Sequence, residues 1–388
     1  MTEPQSRGHS SDRQLSLWPD DPVAENPDYL SRQLLTYIGN KRALLGQIGK
    51  AVERVKDRLG RPRLRVFDAF SGSGVVSRFL KAHSSRLVSN DLEDYAAVTA
   101  CCYLRNRGSV DFTALSQVVE ELNARVTTEP LPRGFIEELY APQREDRITK
   151  DDRVFYTIGN ARRLDNYRRM LDTVPGDLRD LLLGPLLSKA SIHANTAGVF
   201  KGFYKNRETK LGQYGGSGSD ALTRILGEIQ LEPPLLSQFE CDYEIYQEDA
   251  NAAASRLKDF DLAYIDPPHN QHPYGSNYFM LNLLVRYERP AEVSRVSGIP
   301  TGWRRSGYNV RSQSLPLLKN LLHAIDAPFL LVSYNNEGFI TPEQMQEMLN
   351  ELGSVELFET RYNAFRGSRN FKNRPIHVTE QVFLVERR

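Results

Sequence analysis

The part of this chain richest in chemistry runs Leu262-Ala263-Tyr264-Ile265-Asp266-Pro267-Pro268-His269-Asn270. An apolar strand leads into Asp-Pro-Pro. Two prolines fix the backbone after the strand and keep a hydrogen-bonded ladder from continuing. Asp266 is therefore expected to be held rigidly at the carboxyl edge of a sheet. A rigid carboxylate beside a backbone carbonyl makes an acceptor pair, able to hold both hydrogens of an aromatic amino group. That group is a poor nucleophile because its lone pair is delocalised into the ring. Held in this way, its lone pair turns toward an electrophilic methyl, and the developing positive charge is stabilised. Positioning supplies much of the rest, and the chemistry needs no metal.

A second constellation is Asp68-Ala69-Phe70-Ser71-Gly72-Ser73-Gly74, at the end of another apolar strand. Open α/β sheets bind ligands where loops leave the carboxyl ends of strands. Glycine lets the backbone approach a ligand and turn sharply into a helix. Asp91 follows about 20 residues on, where a carboxylate can accept hydrogen bonds from both hydroxyls of a ribose. This pattern suits a dinucleotide dehydrogenase nearly as well, although Ser77 stands where the third glycine of that fingerprint belongs. A tight strand–helix turn with no ligand is the plainer alternative.

The elements needed to position these loops are legible. Leu34 to Val55 reads as a turn and a helix. Arg63 to Phe70 reads as a strand, Val75 to His83 as a helix and Arg86 to Asn90 as a second strand. Strand, glycine loop, helix, strand opens a doubly wound α/β sheet. Strands return at Asp259 to Ile265 and Phe329 to Ser333, and Val378 to Val385 alternates like an edge strand. Between them, residues 105–240 are charged and mainly helical, with a Gly/Ser stretch from Gly212 to Ser219 that reads as a mobile loop. The organisation expected is a polar, disordered leader over 1–30, a catalytic domain over 31–104 and 241–388, and an insertion over 105–240.

Bulk composition restricts the class. With 388 residues and 40% hydrophobic content, the chain can bury a large core. Nothing resembles a secretory signal, and no apolar run nears the roughly 18 residues of a membrane span. A soluble, cytoplasmic protein is expected. Cys101, Cys102 and Cys241 have neither zinc nor disulfide spacing and read as reduced structural thiols. Net charge is only +1, but charge is sorted. Residues 1–30 are acidic, Trp303 to Lys319 carries Arg304, Arg305, Arg311 and Lys319 with no acid, and the tail from Arg361 is basic. Such sorting suits a polyanion partner, or ordinary solvated surface.

Taken together, these motifs resemble the amino-methylating DNA methyltransferases, in particular the Dam-like and restriction-associated adenine methylases, whose hallmark is Asp-Pro-Pro-Tyr. The resemblance covers most of residues 34–388 in motif order. It implies a Rossmann-like class I methyltransferase sheet and S-adenosylmethionine as cofactor. Tyr37-Ile38-Gly39-Asn40-Lys41 resembles the amino-terminal cofactor motif, with Tyr37 and Lys41 near the cofactor. Asp68, Phe70, Ser71, Gly72 and Gly74 fall in the methionine-binding loop, Asp91 in the ribose site, and Asp249 and Ala250 in the motif that contacts the cofactor adenine. Asp266, Pro267, Pro268 and His269 take the catalytic positions. The family places an aromatic ring at the fourth of these, stacked on a base flipped out of the duplex. Here it is His269, an imidazole that can stack but also titrate, or cap the loop by hydrogen bonding. Tyr274 and Tyr278 offer further stacking faces.

Asp before Pro-Pro favours adenine in that family, with cytosine left open. The insertion takes the place of a target-recognition region. In it Lys201, Lys205, Asn206, Arg207 and Lys210 are interleaved with aromatics, suiting phosphate and base contacts. Arg304 and Arg305 are a second expected DNA contact. The implied partners are double-stranded DNA and a cognate restriction endonuclease, with the enzyme a monomer. RNA methylation, or a non-catalytic DNA-binding homologue, are the competing readings.

Overall fold

The computed structural model describes residues 24–216, 221–363 and 377–388. The described strands are β1 (Leu64–Asp68), β2 (Ser84–Asn90), β3 (Asp242–Tyr246), β4 (Leu262–Ile265), β5 (Phe329–Asn335), β6 (Gly353–Asn363) and β7 (His377–Arg387). They form one sheet in the order β3-β2-β1-β4-β5-β7-β6. Strands β1 to β5 pair in parallel, while β7 runs antiparallel to both β5 and β6.

A parallel strand covered on both faces reads as an apolar run rather than an alternation, as β4 at the sheet's centre does, while β3 at its edge is polar and half-exposed. The sequence Leu262-Ala263-Tyr264-Ile265 shows the division. Leu262 and Tyr264 enter the core beneath the helices Leu45–Leu59 and Val75–Lys81. Ala263 and Ile265 enter the opposite core, under Ala250–Arg256, Arg311–Ala324 and Pro342–Leu352. Successive side chains of a strand point to opposite faces. The chain order reverses between β1 and its neighbours β2 and β4, and such a switch point opens a crevice at the strands' carboxyl ends.

Three expectations are corrected. Val378 to Val385 belongs to an interior strand, and the edge on that side is β6. Val382, Phe383, Leu384 and Val385 are all buried, as two-sided cover requires, and the apparent alternation comes from polar residues nearer the start of β7. The leader expected through residue 30 ends earlier. Glu25 accepts from the Gln238 amide (3.0 Å), and the fully buried Tyr29 donates to the Tyr103 carbonyl (2.7 Å). Residues 1–23 lie outside the described residues. The glycine stretch is pinned over its described part. Gly212 bridges to Lys205, and the Gly215 amide donates to buried Asn195 (2.9 Å); residues 217–219 lie outside the described residues.

The segment 105–240 is mainly helical, as expected, with helices Phe112–Thr128, Phe135–Tyr140, Ile158–Leu171, Gly176–Ile192 and Leu222–Leu226. It shares a continuous core with Tyr95 and with Tyr278 to Leu284, which follow the β2 and β4 loops. The insertion is thus packed against the elements that carry both motif loops. Among the described residues no helix is long and apolar enough to cross a membrane, and no cluster of side chains could hold a metal ion.

Candidate active site

Asp266 sits one residue past β4, its side chain 18% exposed. Two nitrogen groups approach one of its oxygens. Lys41 Nζ lies 3.2 Å from Oδ1 and His269 Nε2 lies 3.3 Å from it. Neither is in hydrogen-bond alignment, so Oδ1 is a buried acceptor with no aligned donor. Burial pushes the carboxyl up, but the Lys41 ammonium, seconded by His269, outweighs it and holds Asp266 below the usual carboxylate range. The result is an ionised carboxylate whose buried Oδ1 lacks an aligned hydrogen bond. A buried acceptor left so costs about 1–3 kcal/mol, which suits a group that takes its hydrogen from a substrate.

Asp266 opens onto a cleft of about 850 Å³, mouth included. The β1 loop forms the floor through Phe70, Ser71 and Gly72, and Tyr37 and Lys41 form one side. Gly72 needs to be glycine: its φ is +50°, and a Cβ there would lie 3.2 Å from the Tyr37 hydroxyl. Asp91 lines the cleft and is clamped by backbone donors, Oδ2 accepting from the Gly72 amide (2.8 Å) and Oδ1 from the Glu93 amide (2.9 Å). Asp249 and Ala250 close the far end, where Asp249 caps the helix Ala250–Arg256 by accepting from the Asn251 amide (3.0 Å). Pro268 and Tyr274 complete the wall beside Asp266.

Two of the expected cofactor residues stand behind the lining. Asp68 is fully buried and accepts a 2.5 Å bond from Ser77, and burial lifts its carboxyl to about 7. Ser77, in the place of the missing third glycine, thus anchors the base of the loop. Gly74, at φ +77°, turns the loop into the helix Val75–Lys81.

The expected stacking residues separate. Tyr278 is fully buried, stacks on Tyr37 at 4.5 Å and accepts from the Ile38 amide, so it has no face for a base. His269 meets Tyr334 edge-on at 4.4 Å, directs Nε2 at Asp266 and does not line the cleft. Tyr274 alone of the three lines the cleft, with one face on Tyr37 at 5.2 Å. Pro267 is buried and does not line the cleft.

The expected DNA contacts also divide. Lys201, Lys205, Arg207 and Lys210 are exposed. Lys201 Nζ lies 3.5 Å from His272 in the loop that follows Asp266, and the Phe200 amide donates to the Asn277 carbonyl, so this segment abuts the catalytic loop. Lys205 lies over the Phe203 ring, and Lys210 donates to the Arg207 carbonyl. Asn206 does not present its amide outward. Its oxygen accepts from Glu208 and Thr209 amides and its nitrogen donates to Gln213, which makes it the former of the turn. Arg304 is turned inward: it lines the cleft and donates to the Leu92 carbonyl (2.9 Å) and to Asp94 (2.7 Å). Arg305 is exposed, over the Trp303 ring.

Sequence reasoning missed Glu93, Asn309 and Glu380. Glu93 is buried in the cleft wall, bonded by Asn282 (2.6 Å), and burial lifts it to about 7. Its place two residues after Asp91 was the available signal. Asn309 ties the cleft wall to the catalytic loop by donating to the Asn270 carbonyl (2.7 Å). Glu380 carries no local signal at all.

A doubly wound sheet, a glycine loop at its switch point and a carboxylate on an Asp-Pro-Pro turn together define a Rossmann-like methyltransferase of class I. Residues 37–348 match one family of that class, and the chain belongs to it: the D12 class N6 adenine-specific DNA methyltransferases. This membership sets aside the dehydrogenase, RNA and cytosine readings. The chain is 27% identical over 366 residues to the type II methyltransferase M.NlaIII of Neisseria lactamica, covering 90% of this chain and 100% of that protein. It is 26% identical over 336 residues to the type II methyltransferase M.CviAII of Paramecium bursaria Chlorella virus 1, covering 85% and 92%. It is also 26% identical over 373 residues to the modification methylase StsI of Streptococcus sanguinis, of whose length it covers 52%.

Proposed function

We propose that this adenine methyltransferase is the site-specific modification enzyme of a restriction system, using S-adenosylmethionine and acting on an adenine flipped out of duplex DNA. The observation that carries the chemistry is the ionised Asp266, whose buried Oδ1 lacks an aligned hydrogen bond, at the mouth of a glycine-floored cleft. The type II and modification titles of the similar proteins support the biological setting and a cognate endonuclease as partner.

The lining fits a cationic nucleoside cofactor. Asp91, Glu93 and Asp249 give an acidic wall, Gly72 admits close backbone approach, and Phe70 and Tyr37 give apolar faces. When bound, S-adenosylmethionine supplies an electrophilic methyl group. Asp91 would hold its ribose, the Phe70–Gly72 loop its amino-acid end, and Asp249 and Ala250 its adenine. Asp266 accepts one hydrogen of the target amino group, and a carbonyl of the Pro267–Pro268 turn accepts the other. The amino lone pair is thereby aimed into the cleft, and Asp266 stabilises the positive charge that grows on nitrogen. Tyr274 stacks on the extruded base. Lys201, Lys205, Arg207 and Lys210, with Arg305, meet the DNA backbone beside the catalytic loop.

The test is incubation with tritiated S-adenosylmethionine and separate DNA, RNA and peptide substrates, then sequencing of the methylated DNA. Label in duplex DNA at adenines of one short sequence is expected. Label scattered over all adenines would remove site specificity, and label in RNA would remove the substrate assignment.

A further inference from the structure

We propose that Glu380 is a positioning residue for methyl transfer: it holds the Lys41 ammonium in place beside Asp266. This rests on Asp266 being the acceptor of the target amino group.

Glu380 lies on β7, opposite Asn335 of β5, and its side chain is 1% exposed. A carboxylate so buried needs a charged partner. Lys41, itself 5% exposed, provides one, with Nζ at 3.4 Å from Oε1 and 3.5 Å from Oε2, both in hydrogen-bond geometry. The same Nζ is 3.2 Å from Asp266 Oδ1, but there the geometry is that of an ion pair without an aligned hydrogen. One ammonium thus serves two carboxylates unequally. It is hydrogen-bonded to Glu380, and its charge acts on both carboxylates.

The placement matters because Asp266 must be both ionised and able to accept from its substrate. It must stay ionised in a buried place, which calls for a cation close by. With about four lone-pair positions on its two oxygens, it can keep one for the target amino group while the cation stands beside it. Lysine has three rotatable donors on a flexible stem. An anchor on the other side fixes where that ammonium stands. Glu380 supplies the anchor. A strand outside every recognised motif therefore completes the catalytic carboxylate.

The experiment uses the full chain and duplex DNA carrying the modified sequence. Single-turnover methyl transfer, S-adenosylhomocysteine affinity and unfolding temperature are measured for wild type, Asp266→Ala, Glu380→Gln and Glu380→Asp. Glu380→Gln keeps the shape and loses the charge; it should lower the transfer rate about tenfold or more, the scale of a misplaced reacting group, with unchanged cofactor-product affinity. Glu380→Asp keeps the charge and should restore most of the rate. A merely structural glutamate gives the reverse order, with Gln tolerated and Asp not. A wild-type rate in Glu380→Gln overturns the proposal, as does an equal loss in both variants accompanied by a lower unfolding temperature. If Glu380→Gln does not fold, Glu380→Asp decides alone, and a rate collapse with intact affinity and unfolding temperature overturns it. Activity surviving in Asp266→Ala would instead remove the reading of Asp266 itself.

Discussion

Asp91→Asn is the most revealing single change at the cofactor cleft, because Asp91 works twice. Its two oxygens accept from the Gly72 and Glu93 amides, so it shapes the glycine loop before any ligand arrives. Asparagine offers one oxygen and one amino group. One backbone bond survives, and at the other a donor faces a donor. Losing a hydrogen bond to a charged acceptor costs about 1.5–3 kcal/mol. Unfolding entropy is about 2.1 cal/mol/K per residue, or roughly 0.8 kcal/mol/K over 388 residues. The unfolding midpoint without cofactor should therefore fall by about 2–4 °C. The carboxylate would also be lost to the ribose hydroxyls. A second loss of the same size weakens S-adenosylhomocysteine binding about ten- to a hundredfold, at about 1.4 kcal/mol per factor of ten. Scanning fluorimetry and titration calorimetry read the two effects separately. A variant with a wild-type midpoint would show that the clamp on Gly72 is idle. A lowered midpoint with wild-type affinity would take Asp91 out of the ribose site.

Other outcomes follow from the same geometry. Asp266→Ala should abolish methyl transfer and leave S-adenosylhomocysteine binding intact by calorimetry, since the cofactor is held by other walls; lost binding would mean Asp266 shapes the cleft instead. Arg304→Ala should weaken cofactor binding severalfold without changing the salt dependence of DNA binding, whereas Arg305→Ala should weaken binding to any duplex and lower the salt slope by about one phosphate's worth; exchanged phenotypes would invert the reading of that loop. Burial lifts Asp68 to about 7, so the fold holds its proton more tightly than the unfolded chain does. Stability should then fall as pH rises from about 4, the unfolded value, through about 7, as linkage requires. Asp68→Asn should remove that part of the slope in chemical denaturation; an unaltered slope would show that Asp68 does not titrate there.

Much of the fold was readable because local patterns carried it. The apolar runs into Asp68 and Asp266 need two-sided burial, and the residues that follow them, glycines in one case and prolines in the other, can only be turns. What was not readable depends on pairing across distance. Nothing in Val378 to Val385 says whether a neighbour lies on one side or both, and β6 supplies the second neighbour. Arg304 looks like a surface arginine until Asp94 and the Leu92 carbonyl are found facing it. Asn206 looks like a base reader until its own turn consumes its amide. Glu380 acquires meaning from Lys41, which pairs with Asp266 as well. The chemistry-bearing residues were visible by type, and their allocation among cofactor, target base and scaffold was set by packing.

The central claim is that Asp266 activates the amino group of adenine in duplex DNA. It is tested most directly by digesting DNA to nucleosides after incubation with the enzyme and S-adenosylmethionine, and quantifying methylated bases by mass spectrometry. The expected result is N6-methyladenine from the wild type, none from Asp266→Ala, and no N4-methylcytosine from either. N4-methylcytosine as the product, or N6-methyladenine formed at the wild-type rate by Asp266→Ala, would contradict it.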